Sequence, residues 1–520
     1  MEKTGLGALN WAVIIVYLLA MLAVGVYFTR RASRSTDSYF TAEGRIPGWA
    51  AGFSIYATTL SAITFMSTPE KAFKADWAYS VGNLAIFALV PLLMYFYVPF
   101  FRKLDVVTAY DYLEERFSPA VRVIGSLLFV LFHIGRIAVV IYLPTIAIAS
   151  VTDIDPLLIA CIVGVLSILY TFLGGIEGVI WADVIQGIIL LAGAAVIIIA
   201  GVMAIDGGLG TVISDGAENG KFFSSKNWDF AGAAASSLPI IFLGQMFNAL
   251  YQYTASQDVV QRYQTTADDK ETTRSLLTNG LLALLTVPLF YGMGTMLFSY
   301  YRHAAQLPED LNTSAIVPYF VVHALPAGIS GLVLAAIFAA AQSTLSSSLN
   351  SISACITVDV WDRFAVPRGR AKASVGLARV IIIVAGLISV GVSLYLVISN
   401  QQETWDLFLA VMGLFGVPLA AVFALGIFSR RTRAGGVLIG LAAGAVAAGI
   451  VQFGMGESPL FVSTAGFVTT FVVGYLASLA WTAARGADAH DVTPLTVFGT
   501  RTAYTRRTRV EAESTPLAGA

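Results

Sequence analysis

The chain has 520 residues, of which 57% are apolar and only 12% charged, with 31 basic against 32 acidic side chains and a net charge of −1. Soluble proteins carry about 25% charged residues, so this chain lacks the polar surface that keeps a soluble domain of its size from associating through apolar patches. A soluble enzyme, a disordered scaffold and a basic nucleic-acid binder are excluded. An integral protein of the lipid bilayer remains.

A membrane-spanning helix needs about 20 mostly apolar residues. Thirteen runs meet that requirement: 9–28, 47–68, 79–101, 123–149, 155–173, 176–202, 234–256, 275–300, 328–359, 375–399, 405–428, 434–454 and 460–482. None shows the strict alternation over about 10 residues of a barrel strand. The first run lacks a basic flank and an A-x-A site, so it reads as a span and not a cleaved signal. Of the 31 basic residues, 24 fall on one side, 23 on connections and a tail and Arg379 at the adjoining end of a span, six fall on the other side, and Arg136 alone lies deep in a span. Basic residues mark the cytoplasmic side, which puts the N-terminus outside and the C-terminus in the cytoplasm of a multi-pass plasma (inner) membrane protein. Residues 203–233 and 302–327 read as outside loops. The stretch 105–122 reads as a helix on the cytoplasmic surface. The composition of 483–520 predicts a disordered cytoplasmic tail. Cys161 and Cys355 sit in apolar runs and suggest neither a disulfide nor a metal site.

Polar residues inside spans are the informative ones, because each is costly there. The second run holds Ala57-Thr58-Thr59-Leu60-Ser61-Ala62-Ile63-Thr64. Its hydroxyls either bond back to their own helix or mark an unwound stretch whose carbonyls face a cavity, the setting in which irregular backbone is tolerated at membrane depth. The ninth run places Ala340, Ser343, Thr344 and Ser347 on one helical stripe with Ser346 beside it. Such an oxygen cluster suits a hard cation such as Na+, or forms a small-residue packing face. Arg136 in the fourth run and Asp183 in the sixth either pair with each other or act separately, Asp183 on a cation and Arg136 on a substrate carboxylate through its planar fork. His133, one turn before Arg136, reads as a hydrogen-bonded core residue. No P-loop, H-E-x-x-H or Ser–His–Asp arrangement occurs, so the chain does not read as an enzyme or an ATP-driven pump. Interrupted helices in corresponding halves point to a secondary transporter's site, and runs two and seven are the candidates.

These residues resemble the sodium–solute symporter family, and in particular its bacterial sodium–sialic acid branch. The resemblance runs from about Asn10 to about Thr482. It is carried by Ala57–Met66 (ATTLSAITFM), Phe132–Arg136 (FHIGR), Gly174–Gly187 (GGIEGVIWADVIQG), Thr254–Tyr263 (TASQDVVQRY) and Ala335–Ser353 (AAIFAAAQSTLSSSLNSIS). It implies an all-α integral membrane protein of the LeuT type: a five-plus-five inverted repeat, about 47–202 against 234–428, with one extra N-terminal and two extra C-terminal helices in a single domain spanning 1–482. It implies a core Na+ site from the carbonyls of Ala57, Leu60 and Ala340 and the hydroxyls of Ser343 and Thr344. A second Na+ site would use Asp183, Ser343, Ser346 and Ser347. The substrate site would use Thr59, Ser61, Thr64, Asn83, Arg136 and Asn248, with Tyr79 and Phe247 nearby. Asn83 stands where the sialic acid branch often carries Gln, Tyr79 where Phe is familiar, Ala182 where Thr is usual and Thr344 where Ser is usual.

The expected activity is therefore import of sialic acid with two Na+ ions by alternating access. No obligatory protein partner is evident in the sequence. A symporter of another sugar acid, a monocarboxylate or a neutral sugar would keep every ion ligand and differ at Asn83, Tyr79, Phe247 and Arg136. A Na+-dependent channel or sensor would need a continuous pore or an attached signalling domain.

Overall fold

The computed structural model describes residues 6–32, 35–103, 108–149, 152–223, 228, 237–309, 311–366, 372–399, 404–455, 459–485 and 492–498. These residues form helices throughout, with one isolated bridge between Ile46 and Thr266. Ten helices among them are long and apolar enough to cross a membrane, and each coincides with one expected span. The three expected spans that fall short, 47–68, 155–173 and 234–256, are the ones where the helix is interrupted.

The elements that frame the site are α1 (Ala8–Ala32), α2 (Gly48–Thr59), α3 (Ala62–Lys74), α4 (Val81–Leu92), α5 (Ala109–Arg116), α6 (Pro119–Ala149) and α7 (Pro156–Met203). After α8 (Gly208–Glu218) come α9 (Leu238–Thr254), α10 (Gln257–Gln264), α11 (Asp269–Thr286), α12 (Gly292–His303) and α13 (Ile316–Ala324). The chain closes with α14 (Ile329–Cys355), α15 (Val375–Ile398), α16 (Thr404–Val411), α17 (Val417–Phe428), α18 (Ala434–Gly449) and α19 (Pro459–Arg485).

Three interruptions organise the bundle. Between α2 and α3, Leu60 (φ −88°, ψ 96°) and Ser61 (φ −101°, ψ 178°) leave helical geometry, and the Ser61 hydroxyl accepts from the Ile63 amide at 3.2 Å to start α3. Between α9 and α10 the chain breaks at Ala255 and Ser256. Within α7, Gly175 takes φ 57° and ψ −168°, a conformation open to glycine.

The broken segments pack reciprocally: α2 lies on α11, and α9 lies on α4. Gly48 and Gly52, one turn apart on α2, make the first contact possible, since a Cβ on either would strike the carbonyl of Glu271 or Ser275. This is the small-xxx-small approach of membrane helices. Both partner helices also run into a π turn beside a proline, Leu93–Tyr97 after Pro91 and Val287–Tyr291 around Pro288. α14, the most completely buried of the long apolar helices, packs on α6 and α7 and forms the axis of the site.

Four local readings of the sequence change. The two loops expected to lie outside contain α8 and α13. The 105–122 stretch holds α5, but that helix is not a surface element. Tyr110, Tyr112, Leu113 and Arg116 are buried, and Arg116 spends its donors on the carbonyls of Gly426 (3.1 Å) in the last turn of α17 and of Ser429 (2.6 Å) and Thr432 (3.2 Å) beyond its end. Within the expected disordered tail, residues 492–498 pack against the body: the Val497 amide donates to Ile427 O (3.0 Å) and the Tyr112 hydroxyl to Leu495 O (3.1 Å). Finally, Arg262, assigned to a cytoplasmic loop by its sequence position, is fully buried.

Candidate ion and substrate site

The break after α2 frees backbone oxygens in the bundle interior, and α14 lays its hydroxyls against them. Ser343 Oγ donates to Ala57 O at 3.0 Å and lies 3.2 Å from Ala340 O. Thr344 Oγ1 lies 3.3 Å from Thr58 O and 3.4 Å from Ala340 O. The five oxygens are buried and contain no sulfur or imidazole, a donor set matched to a hard cation. Four of the five residues expected at the core Na+ site, Ala57, Ala340, Ser343 and Thr344, thus lie within hydrogen-bonding distance of one another, and the fifth, Leu60, sits at the break and lines the adjoining cavity.

One turn along α14, Ser347 Oγ lies 3.4 Å from Asp183 Oδ2 and 3.0 Å from Thr58 Oγ1. Ser346 Oγ donates to Ser343 O at 3.1 Å. Asp183 does not meet Arg136. Its Oδ2 instead accepts from Arg262 Nη2 at 2.8 Å and from Ser54 Oγ at 2.5 Å. Arg136 pairs with Asp258, Nη1 to Oδ2 at 3.0 Å, and donates from Nη2 to Thr58 O at 2.7 Å. Asp258 Oδ1 in turn accepts from Ser256 Oγ at 2.5 Å, and His133 bridges Ser348 (2.9 Å) and Ser256 (3.2 Å). The two buried ion pairs therefore cross: each joins a residue singled out by the sequence to one on α10 that was not.

A cavity opens on the other side of the break. Thr59, Leu60, Ser61, Thr64, Tyr79, Asn83 and Asn248 line it, together with Gln245, Gln252 and the rings of Tyr253, Tyr291 and Phe408. Arg136 is not on its wall and stands behind the Thr58 carbonyl. Phe247 is also off the wall, its ring stacked on Phe467 at 4.3 Å. Asn83 donates to Ala283 O (2.8 Å), and Asn248 Oδ1 accepts from Ser463 (2.7 Å). Beyond Thr68 and Phe408, Lys71 on α3 and Asp406 on α16 join at 3.3 Å. The aromatic wall was not legible in the sequence, where rings in apolar runs look like core. Asp258 and Arg262 had a signal, two opposite charges at i and i+4 just past an apolar run.

The sequence profile of the Sodium:solute symporter family matches residues 39–444. The chain is 45% identical to the sodium/sialic acid symporter NanT of Aliivibrio fischeri, over 92% of this chain and 94% of that one. It is 42% identical to the sodium/sialic acid symporter SiaT of Proteus mirabilis, over 94% and 99%. A solved Na+-coupled sialic acid symporter, in a substrate-bound outward-open state that revealed a new Na+ site in that protein, superposes with a TM-score of 0.85 at 42% identity, covering 91% of this chain and 98% of that one.

Proposed function

The chain belongs to the Sodium:solute symporter family, and from that premise we propose that it imports sialic acid together with two Na+ ions by alternating access. The observation that carries this reading is the meeting of α14 with the break of α2. Ser343 and Thr344 approach the carbonyls of Ala57 and Thr58 directly behind a cavity lined by hydroxyls and amides. One Na+ at Ala57, Leu60, Ala340, Ser343 and Thr344 draws the two helices together and fixes the cavity wall. A second, at Asp183, Ser343, Ser346 and Ser347, uses the carboxylate one turn away.

The cavity suits a polyhydroxylated acid. Ser61 and Thr64 stand at the start of α3, where free amides and the helix dipole favour an anion, so the substrate carboxylate is assigned there. Arg136 adds its positive field from behind Thr58. Asn83, Asn248 and Thr59 take hydroxyl and acetamido groups, and Tyr79 supplies an apolar face. Phe247, stacked on Phe467 off the wall, backs Asn248 rather than touching the substrate. The reciprocal packing of α2 on α11 and α9 on α4, with a break in each leading segment, supports the five-plus-five repeat of 47–202 against 234–428. Thirteen crossings follow when the broken segments and the first half of α7 are counted as spans. That odd number agrees with an outside N-terminus and a cytoplasmic C-terminus.

Uptake of radiolabelled N-acetylneuraminate into proteoliposomes tests the proposal. Accumulation is expected with an inward Na+ gradient and not with K+, and is competed by sialic acid more strongly than by pyruvate or glucose. Equal uptake in K+, or stronger competition by either of the other solutes, overturns it.

A further inference from the structure

Arg262 and Asp183 are both fully buried. The guanidinium makes four contacts on four helices: Nη2 to Asp183 Oδ2 of α7 (2.8 Å), Nη2 to Ser347 Oγ of α14 (2.6 Å), Nε to Ser54 Oγ of α2 (2.7 Å), and Nη1 to the Asp258 carbonyl on its own helix α10. Two of these partners, Asp183 and Ser347, belong to the second Na+ site proposed above. The positive group thus rests on the same oxygens that a second sodium would need.

The arrangement is incomplete in an informative way. The guanidinium covers one carboxylate oxygen, and Asp183 Oδ1 has no hydrogen-bond partner. Neither amide atom of Gln186, one turn further along α7 and fully buried, has one either. Bare polar atoms in an interior are costly, and native structures seldom keep them without a further role. A bidentate Arg–carboxylate fork would have satisfied both oxygens. Here the fork is split among four helices and one carboxylate oxygen stays open.

We propose that Arg262 is a tethered cation that holds Asp183 while the second sodium site is empty, and that arriving Na+ displaces it. This inference rests on Asp183 being a sodium ligand. The guanidinium already occupies Asp183 Oδ2 and Ser347 Oγ, and two cations held on those same two buried oxygens would repel strongly, so sodium coordinated there and the seat of Arg262 exclude each other. Because the same guanidinium fastens α10 to α2, α7 and α14, sodium entry releases α10 from three neighbours at once. The coupling is reciprocal: whatever holds α10 in place weakens sodium binding, and whatever frees it strengthens sodium binding.

The test is a Na+ titration of the purified full-length protein in choline buffer, read by tryptophan fluorescence and by thermal unfolding, with K+ as the control ion. In R262Q the Na+ half-saturation is expected to fall about fivefold or more, the low end of couplings between sites. Its melting temperature should lie below the parent's without Na+ and rise further on adding it. R262K keeps a charge but loses the fork, and its half-saturation should fall between the two. D183N/R262Q buries no unpaired charge and should fold, with its Na+ response reduced to that of a single site. Half-saturation unchanged or raised in R262Q and R262K overturns the proposal, as does two-ion cooperativity surviving in D183N/R262Q. If R262Q does not fold without Na+, R262K and the double variant decide. A parent protein that answers Na+ no better than K+ overturns the underlying sodium reading as well, which separates the two failures.

Discussion

A buried charge in a membrane protein has no water to turn to, so its partner decides what it can do. Arg136 is held by Asp258 and by Thr58 O. Removing one member of a buried pair strands the other, at a cost of about 3–5 kcal/mol. Arg136→Ala should therefore lower thermal stability and abolish uptake together, while R136Q/D258N should recover most of the stability. If the double variant is stable but still transports no sialic acid, Arg136 acts on the substrate. If transport returns with stability, its role is to hold the two breaks. At the core site, Thr344→Ala removes one oxygen worth roughly 1–1.5 kcal/mol, so the Na+ half-saturation for uptake should rise about tenfold, and Thr344→Ser should leave it near the parent value. Arg136 and Asp183 were legible in the sequence because a charge inside an apolar run stands out. Their partners carried only the weaker signal of opposite charges at i and i+4, because Gln257–Gln264 is polar enough to read as a loop, and only the break at Ala255 brings that short helix inside.

Elements carry the second level of control. The break of α2 was legible from its hydroxyls, but not its mechanism. Thr59 Oγ1 does bond back to Tyr56 O at 2.9 Å, as a Ser/Thr-rich helix would, and Thr59 is still the last residue of the helix. The matching break of α9 had a weaker signal, since Ala255 and Ser256 are unremarkable residues. Beyond Thr68 and Phe408 of the cavity wall, at the end expected to face outside, α3 and α16 meet through Lys71 and Asp406, both partly exposed. Exposed pairs contribute about 0.2–1 kcal/mol, so Lys71→Ala should speed labelling of a Thr64→Cys reporter by a membrane-impermeant thiol reagent by up to about fivefold. An unchanged rate would mean that this pair does not restrain the mouth. The docking of 492–498 could not be read from composition, because it depends on the Ile427 carbonyl of α17 and the Tyr112 hydroxyl of α5, which only the folded bundle brings together.

At the scale of the molecule, stoichiometry decides whether the transporter can concentrate a dilute acid. One charge crossing 100 mV yields about 2.3 kcal/mol, and a tenfold Na+ gradient adds about 1.4 kcal/mol. Two sodium ions supply roughly 7.4 kcal/mol against about 2.3 for a monoanion. The remainder, about 5 kcal/mol, supports accumulation by three to four powers of ten. One sodium would support about tenfold. The predicted cycle moves one net positive charge inward, so an inside-negative potential of about 100 mV should raise steady-state accumulation roughly fiftyfold in proteoliposomes. Accumulation indifferent to potential would mean a single sodium per acid. The 48-residue helix α7 bears on how such a cycle is timed. At about 1.5 Å per residue it is more than twice the thickness of the hydrocarbon core, and Gly175 alone turns it, eight residues before Asp183. A corner made of one residue confines any relative motion of the two arms to the φ and ψ of Gly175, and two extra glycines inserted there would leave each arm intact while loosening that link.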